Sequence, residues 1–234
     1  MRIIHGCISF FICTLITLSY ISLSFGQNGI IVDIFPPDSK PFGLSYEDHI
    51  INQWKFLLST PADQNPMEDK TGEICTYGQD LSNSSVFHLS GNAGGTSEIT
   101  CKIPAGLGLV INIISVEASE AESPNSTIED LHAIAKNDQD HVTSTYLKIN
   151  DQDFKDLKKY RFHTDVFEVI FPENAIFGAS AGPSKAVADG YYIITKPLTP
   201  GNYTIVVKGS LVCLEPDCLE PAFATEMKYN LIVE

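Results

Sequence analysis

Short apolar runs separated by glycine and proline clusters limit what this chain can fold into. Clusters such as Gly91–Gly95 and Pro104–Gly106 interrupt the sequence at short intervals. Branched and aromatic residues are frequent in the runs between them, which favours strands. The predicted strands are Val86 to Leu89, Glu98 to Ile103, Leu107 to Val116, Val142 to Ile149, Val166 to Phe171, Tyr191 to Thr195, Tyr203 to Gly209 and Phe223 to Val233. This pattern predicts a mainly β fold, a β-sandwich that is Ig-like or jelly-roll-like.

Two segments depart from this pattern and predict short α-helices. Ser45 and Asp48 have the spacing of a capping box, and Thr127 and Asp130 repeat it. Apolar residues follow each cap at helical spacing. They are Ile50, Trp54, Leu57 and Leu58 in the first segment, and Ile128, Leu131, Ile134 and Ala135 in the second. We therefore expect two helices with one apolar face each, and a core position for Trp54 rather than a ligand-stacking one.

The first 26 residues have the layout of a secretory signal peptide. Arg2 supplies a positive charge, and the run Ile8–Phe25 is apolar and carries none. The small residues Ser24 and Gly26 precede Gln27 and mark a cleavage site. The apolar run is also long enough to serve as an uncleaved anchor.

Export fixes the expected compartment and the division of the chain. Residues 27–43 contain three prolines and are predicted to form a linker or a first strand. Residues 44–234 are predicted to form a single β-sandwich domain. We therefore expect a protein in the extracellular space or at the cell surface.

The acidic composition excludes two classes of partner. Acidic residues outnumber basic ones by 29 to 15, and the formal net charge is −14. Such a surface repels nucleic-acid phosphates and anionic headgroups, so neither is expected as a partner. No apolar stretch after the signal peptide is long enough to span a bilayer, so we expect no membrane insertion once the signal is removed.

Four cysteines outside the signal peptide predict two disulfides. Cys75, Cys101, Cys213 and Cys218 form an even set in an exported chain, which leaves three connectivities. We favour Cys75–Cys101 and Cys213–Cys218. A four-cysteine zinc site is the alternative, but neither pair has the close spacing that such sites use.

Three sequons predict that the protein is a glycoprotein if its host attaches N-linked glycans. They begin at Asn83, Asn125 and Asn202. Each asparagine must lie at the surface if it is modified.

No motif nominates a catalytic residue. The segment Gly178–Gly182 has the letters of a nucleophile elbow around Ser180, but Pro183 follows where that elbow needs a helix. The same chemistry requires a histidine after the serine, and the last histidine is His163. We expect Ser180 in a flexible loop.

Candidate metal ligands are scattered along the chain. The histidines outside the signal peptide have no metal-binding spacing: His49, His88, His132, His141 and His163. Asp151, Asp153 and Asp156 partly match the start of an EF-hand loop, but its glycine and glutamate are missing. We expect no cofactor and leave open weakly bound calcium or a transition metal.

A tyrosine pair is the candidate for ligand stacking. Tyr191 and Tyr192 are adjacent in a predicted strand, so their side chains point to opposite faces. One of the two is therefore expected at the surface, where a sugar ring could stack on it.

A series of segments spread over the domain carries a resemblance to a known family. The segments are Gln53-Trp54-Lys55-Phe56-Leu57-Leu58-Ser59-Thr60-Pro61-Ala62-Asp63-Gln64-Asn65-Pro66, Thr71 to Cys75, Gly94 to Cys101, Ile103 to Gly106, Lys159 to Phe162, and Asp189-Gly190-Tyr191 to Gly201. In this order they resemble a widespread family of exported, uncharacterised proteins of bacteria and archaea, over roughly residues 46–234. The resemblance implies a cysteine pair at Cys75 and Cys101. A second pair of many members, at the positions of Ala118 and Ile134, is absent here. The family has no named activity, so the resemblance implies none.

These observations favour an exported, non-enzymatic binding or cell-surface interaction module, whose partner would be a cell-surface protein or a glycan. The alternatives are a secreted hydrolase or metal-dependent enzyme, and an accessory subunit of an envelope complex.

Overall fold

Two mixed β-sheets face each other in the computed structural model, which describes residues 30–212 and 223–234. The mainly β prediction is confirmed, and the fold is a β-sandwich with two α-helices. The helices are α1 (Tyr46–Ser59) and α2 (Ile128–Asp140). The strands are β1 (Val86–Leu89), β2 (Gly95–Ile103), β3 (Gly108–Ser119), β4 (Val142–Ile149), β5 (Gln152–Asp153), β6 (Arg161–His163), β7 (Phe167–Phe171), β8 (Gly182–Ile194), β9 (Gly201–Leu211) and β10 (Phe223–Val233). The predicted signal peptide lies outside the described residues.

The first sheet has β3 and β8 at its centre. Its order is β1-β3-β8-β6, and β7 also pairs with β8. The second sheet has the order β2-β10-β9-β4-β5. Each sheet contains one parallel pair, β1 with β3 in the first and β2 with β10 in the second. The other pairs are antiparallel.

The two sheets differ in how many of their faces are covered. In the second sheet, residues alternate between buried and more exposed positions along β2, β9 and β10, because only its inner face meets the core. In the first sheet, β3 and β8 are buried at nearly every position, because α1 and α2 cover the outer face. The molecule therefore has three layers: helices, first sheet and second sheet.

The first helix begins and packs as the sequence predicts. The Ser45 side chain accepts a hydrogen bond from the Asp48 backbone at 3.1 Å, which completes the predicted capping box. Trp54 is buried, and its Nε1 donates to the Tyr192 hydroxyl at 2.9 Å. The core position predicted for Trp54 is thus confirmed, although one side of its ring borders the cavity described below.

The second helix differs from its predicted face at one position. Leu131 and Ala135 are buried against the first sheet, but Ile134 is 40% exposed. Gln139 is buried instead. The buried stripe is narrower than predicted, because α2 packs mainly against β3 and β8.

The strand β8 is longer than predicted and begins at Gly182, nine positions before Tyr191. The added segment is rich in small residues, which have low strand propensity. It forms a strand because β3 pairs with it on one side and β6 and β7 pair with it on the other. Tertiary pairing therefore overrides local preference here.

One predicted disulfide is confirmed. Cys75 and Cys101 are bonded, with their Cα atoms 6.1 Å apart, and both are buried in the core between the sheets. Cys213 and Cys218 lie outside the described residues. No helix within the two described ranges is long and apolar enough to cross a membrane.

Candidate functional site

The structure buries both tyrosines that the sequence nominated for ligand stacking. Tyr191 is 8% exposed and Tyr192 is 0% exposed. Tyr191 belongs to the core between the sheets, and Tyr192 packs in the layer under α1. The expectation that one of them is exposed was wrong, because helices cover the outer face of β8. Neither ring is available to stack on a sugar.

The three sequons lie at accessible positions. Asn83 is exposed in the loop before β1, Asn125 is exposed before α2, and Asn202 is exposed near the start of β9. Glycosylation at these sites stays a prediction.

The scattered metal-ligand candidates do not come together. No group of three or more His, Cys, Asp or Glu side chains gathers within residues 30–212 and 223–234 in a way that could hold a metal ion. His49 Nε2 lies 2.9 Å from the Pro41 carbonyl oxygen, and Asp153 accepts a hydrogen bond from Tyr146. Ser180 is exposed in the loop before β8.

A cavity of about 340 Å³ lies where β1 stops beside β3. The strand β1 pairs only with Gly108–Ile111, and the rest of β3 has no neighbour on that side among the described strands. The chain leaves β1 through Gly91, whose φ of 74° favours glycine and turns the backbone toward β2. We call Gly108–Ile111 the paired half of β3 and Asn112–Ser119 its free half. The cavity occupies the space beside the free half.

The walls of the cavity come from both sheets, from α1 and from four connecting segments. The free half of β3 contributes six consecutive residues from Asn112 to Glu117, and most of the remaining lining is apolar. The main apolar side chains that border the cavity beside those of β3 are Trp54, Met67, Phe177, Val207, Phe223 and Met227. At its edge, Gly209 allows the sheets to approach, since a Cβ atom there would lie 2.6 Å from the Ile114 Cβ.

One carboxyl group in this cavity is buried and has no hydrogen-bond partner among the described residues. Glu117 is 8% exposed, and neither of its oxygens accepts a hydrogen bond from the described residues. Burial, the neighbouring Glu122 carboxyl group and the charge on Glu122 together raise the pKa of Glu117 to about 10. Glu117 is therefore protonated at neutral pH.

The partner carboxyl group lies at the opening of the cavity. Glu122 is exposed, and its Oε2 accepts a hydrogen bond from the Ser119 hydroxyl at 2.8 Å. This contact fixes the Glu122 carboxyl relative to the end of β3. The two glutamates therefore lie one behind the other, with Glu122 at the solvent side of the cavity and Glu117 in its interior.

A second unpaired acceptor lies near the first. Asn112 donates from its Nδ2 to Ser115 Oγ at 2.7 Å, but its buried Oδ1 has no partner in the described part of the chain. Asn92, on the opposite wall, is satisfied through Thr225 and Ser97. The Glu117 carboxyl group and the Asn112 Oδ1 are therefore free to pair with polar groups of a ligand.

An aromatic residue at the cavity wall has an unfavourable backbone conformation. Phe177 has φ 60° and is 46% exposed, in the short helical turn Ile176–Gly178. A bulky side chain in the left-handed region costs of order 1 kcal/mol and is found preferentially at ligand sites. Its ring borders the same cavity as Glu122.

Comparisons with known proteins assign no family. No protein-family model matches the chain, and no curated protein matches it. Among solved structures, the cysteine protease inhibitor EhICP2 from Entamoeba histolytica is similar over 60% of this chain and 88% of its own, with 13% identity and a TM-score of 0.20. A similarity at this level supports no argument about fold or function.

The amino-acid sequence carries little signal for this site. Glu117 and Glu122 are two of 29 acidic residues, and no spacing distinguishes them. The one local signal is that Glu117 directly follows a predicted apolar strand. A charged residue there is more often at a strand end in solvent, so burial was not predictable from the residues alone.

Proposed function

We propose that this protein is a non-enzymatic binding module that holds a small, largely apolar ligand beside the free half of β3. The observation that carries the proposal is Glu117, whose carboxyl group is buried in an apolar cavity and accepts no hydrogen bond from the described residues. Burying such a group costs free energy, which a ligand that pairs with it would recover. The cavity volume, about 340 Å³, lies within the range of small-molecule sites.

Binding is favoured over glycoside hydrolysis by the contact between the two carboxyl groups. Hydrolytic pairs are separated by about 5 Å or more, so that a sugar carbon or a water fits between them. Glu122 is instead a direct neighbour of Glu117 and raises its pKa, so these two carboxyl groups lie together rather than apart. The pair is better suited to recognising a donor than to attacking a substrate.

The proposed setting is extracytoplasmic. The signal peptide expected at residues 1–26 and the resemblance to exported proteins both support this part of the proposal. The Cys75–Cys101 bond is compatible with an oxidising compartment.

Energy transfer from Trp54 tests the proposal. The chain has one tryptophan, and it borders the cavity, so its emission reports occupancy directly. We expect the uncharged apolar probe N-phenyl-1-naphthylamine to bind one-to-one and to receive energy from Trp54. Binding of the probe without energy transfer from Trp54 would contradict the proposal, and so would the absence of saturable binding.

A matched pair of variants locates the bound probe. Ala93 is exposed at the edge of the cavity, and Ala133 is exposed on α2, away from it. Ala93→Phe should obstruct the cavity and weaken binding about tenfold or more, which corresponds to about 1.4 kcal/mol. Ala133→Phe adds the same ring elsewhere and should leave binding unchanged. Equal effects of the two variants would place the probe outside the cavity.

A further inference from the structure

The polar groups inside the cavity restrict the chemistry of its ligand. The unpaired buried atoms are both oxygens of Glu117 and the Oδ1 of Asn112. The Asn112 Oδ1 is an acceptor, and both Glu117 oxygens become acceptors when the carboxyl group releases its proton. No lysine, arginine or histidine is among the described residues that line the cavity. A ligand that fits these groups must therefore bring hydrogen-bond donors and must not bring a negative charge.

We propose that the cavity binds an organic cation, with a protonated amine held by Glu117 and Glu122 and an apolar body against Trp54. This inference rests on the proposed function and names the class of ligand. An ammonium group carries three donors and no acceptor, and its positive charge favours the ionised form of Glu117, in which both oxygens accept hydrogen bonds.

The apolar walls favour the same class of ligand. Trp54, Phe177 and Phe223 place three aromatic rings around the cavity. The face of an aromatic ring attracts a cation, and the attraction grows when water is excluded. An anion would instead meet two carboxyl groups, and a sugar would expose many hydroxyls to a lining that is mostly apolar.

The path of entry also suits a cation. Glu122 is exposed at the opening, whereas Glu117 is buried behind it. A cation that approaches from solvent meets the exposed carboxylate first and then the buried group. The net charge of the chain, −14, adds a long-range attraction for cations.

Three probes of nearly equal size and shape test the charge of the ligand. They are 2-phenylethylamine, which is a cation at neutral pH, 2-phenylethanol, which is neutral, and phenylacetate, which is an anion. Each is titrated into the full chain while Trp54 emission is followed. We expect the amine to bind at least about ten times more tightly than the alcohol, and phenylacetate to bind more weakly than either.

Glutamine variants test which carboxyl groups carry the preference. Glu117→Gln and Glu122→Gln should each remove most of the preference for the amine over the alcohol. Glu129→Gln changes an exposed glutamate in the first turn of α2 and should leave it intact. Because Glu122 is exposed, its variant should fold normally and keeps the test valid even if Glu117→Gln does not fold.

The outcomes separate this inference from the function on which it rests. Equal binding of amine and alcohol, tighter binding of phenylacetate, or an unchanged preference in both glutamine variants would overturn the organic cation and leave a binding cavity. If none of the three probes binds while N-phenyl-1-naphthylamine still does, the organic cation is again overturned and the binding cavity is left. Failure of every probe, including N-phenyl-1-naphthylamine, would overturn both.

Discussion

The paired and free halves of β3 belong to one strand but have opposite surroundings. In the paired half, Leu109, Val110 and Ile111 are 0% exposed, between β1 on one side and β8 on the other. In the free half, β8 continues but β1 does not, and the space it leaves is the cavity. The register with β8 also shifts between Asn112 and Ile114, so that a bulge lies at the start of the free half. The cavity therefore results from the end of a strand, β1, rather than from an added loop.

The largest expected effect on stability comes from the disulfide in the core between the sheets, near the paired half of β3. Replacing Cys75 and Cys101 together by alanine opens a cross-link between residues 26 positions apart. We expect a loss of about 3 kcal/mol in the free energy of unfolding, measured by urea denaturation. Below the unfolding transition the variant should still bind N-phenyl-1-naphthylamine, because the cavity lies beside the other half of β3. Loss of binding by the folded variant would show that the two regions are coupled.

A matched pair of valines tests the comparison directly. Val110→Ala removes two carbons from a fully buried site in the paired half and should cost about 2–3 kcal/mol. Val116→Ala removes the same atoms from a half-buried site that already borders the cavity, and should cost less than about 1 kcal/mol. Urea unfolding of both variants supplies the two numbers. Equal costs would mean that the free half is packed as densely as the paired half.

Replacing Glu117 should change the free energy of unfolding in the opposite direction, because loss of this carboxyl group should stabilise the protein. Glu117→Gln keeps the shape of the side chain and removes a group that burial forces to hold its proton. We expect a gain of about 2 kcal/mol at pH 6, where the unfolded chain has an ionised glutamate in its place. The same urea measurement on Glu129→Gln should show no gain, since Glu129 is exposed.

The pH dependence of this gain has a definite direction. The pKa of Glu117 is about 10 in the folded protein and about 4.3 when unfolded, so between these values the folded state binds more protons. The contribution of Glu117 to stability is therefore greatest below about pH 4 and decreases as the pH rises toward 10. Wild type and Glu117→Gln should be nearly equal in stability at about pH 4 and should diverge at higher pH. A difference that is constant with pH would rule out a raised pKa as its cause.

The sequence predicted the paired half of β3 better than the free half. The branched run from Leu107 identified the strand, and the caps at Ser45 and Thr127 identified both helices, because these signals are local. The burial of Tyr192 and Glu117 was not predictable, since it depends on α1 and on the end of β1, which are distant in the chain. The length of β8 was missed for the same reason.

The smallest expected effect on stability is at Phe177, and there the effect on binding should be larger. Phe177→Gly relieves the cost of φ 60° but increases the freedom of the unfolded chain, and these terms are of similar size. We expect a free energy of unfolding within about 0.5 kcal/mol of wild type, and weaker binding of N-phenyl-1-naphthylamine because a ring is lost from the cavity wall. Phe177→Asn, which tolerates the same backbone conformation, should weaken binding equally. If only the glycine variant lost affinity, backbone rigidity rather than the ring would be responsible. A decrease of more than about 2 kcal/mol in the free energy of unfolding of both variants would mean that the Phe177 ring stabilises the core. The space beside the free half of β3 would then be more densely packed than the end of β1 implies.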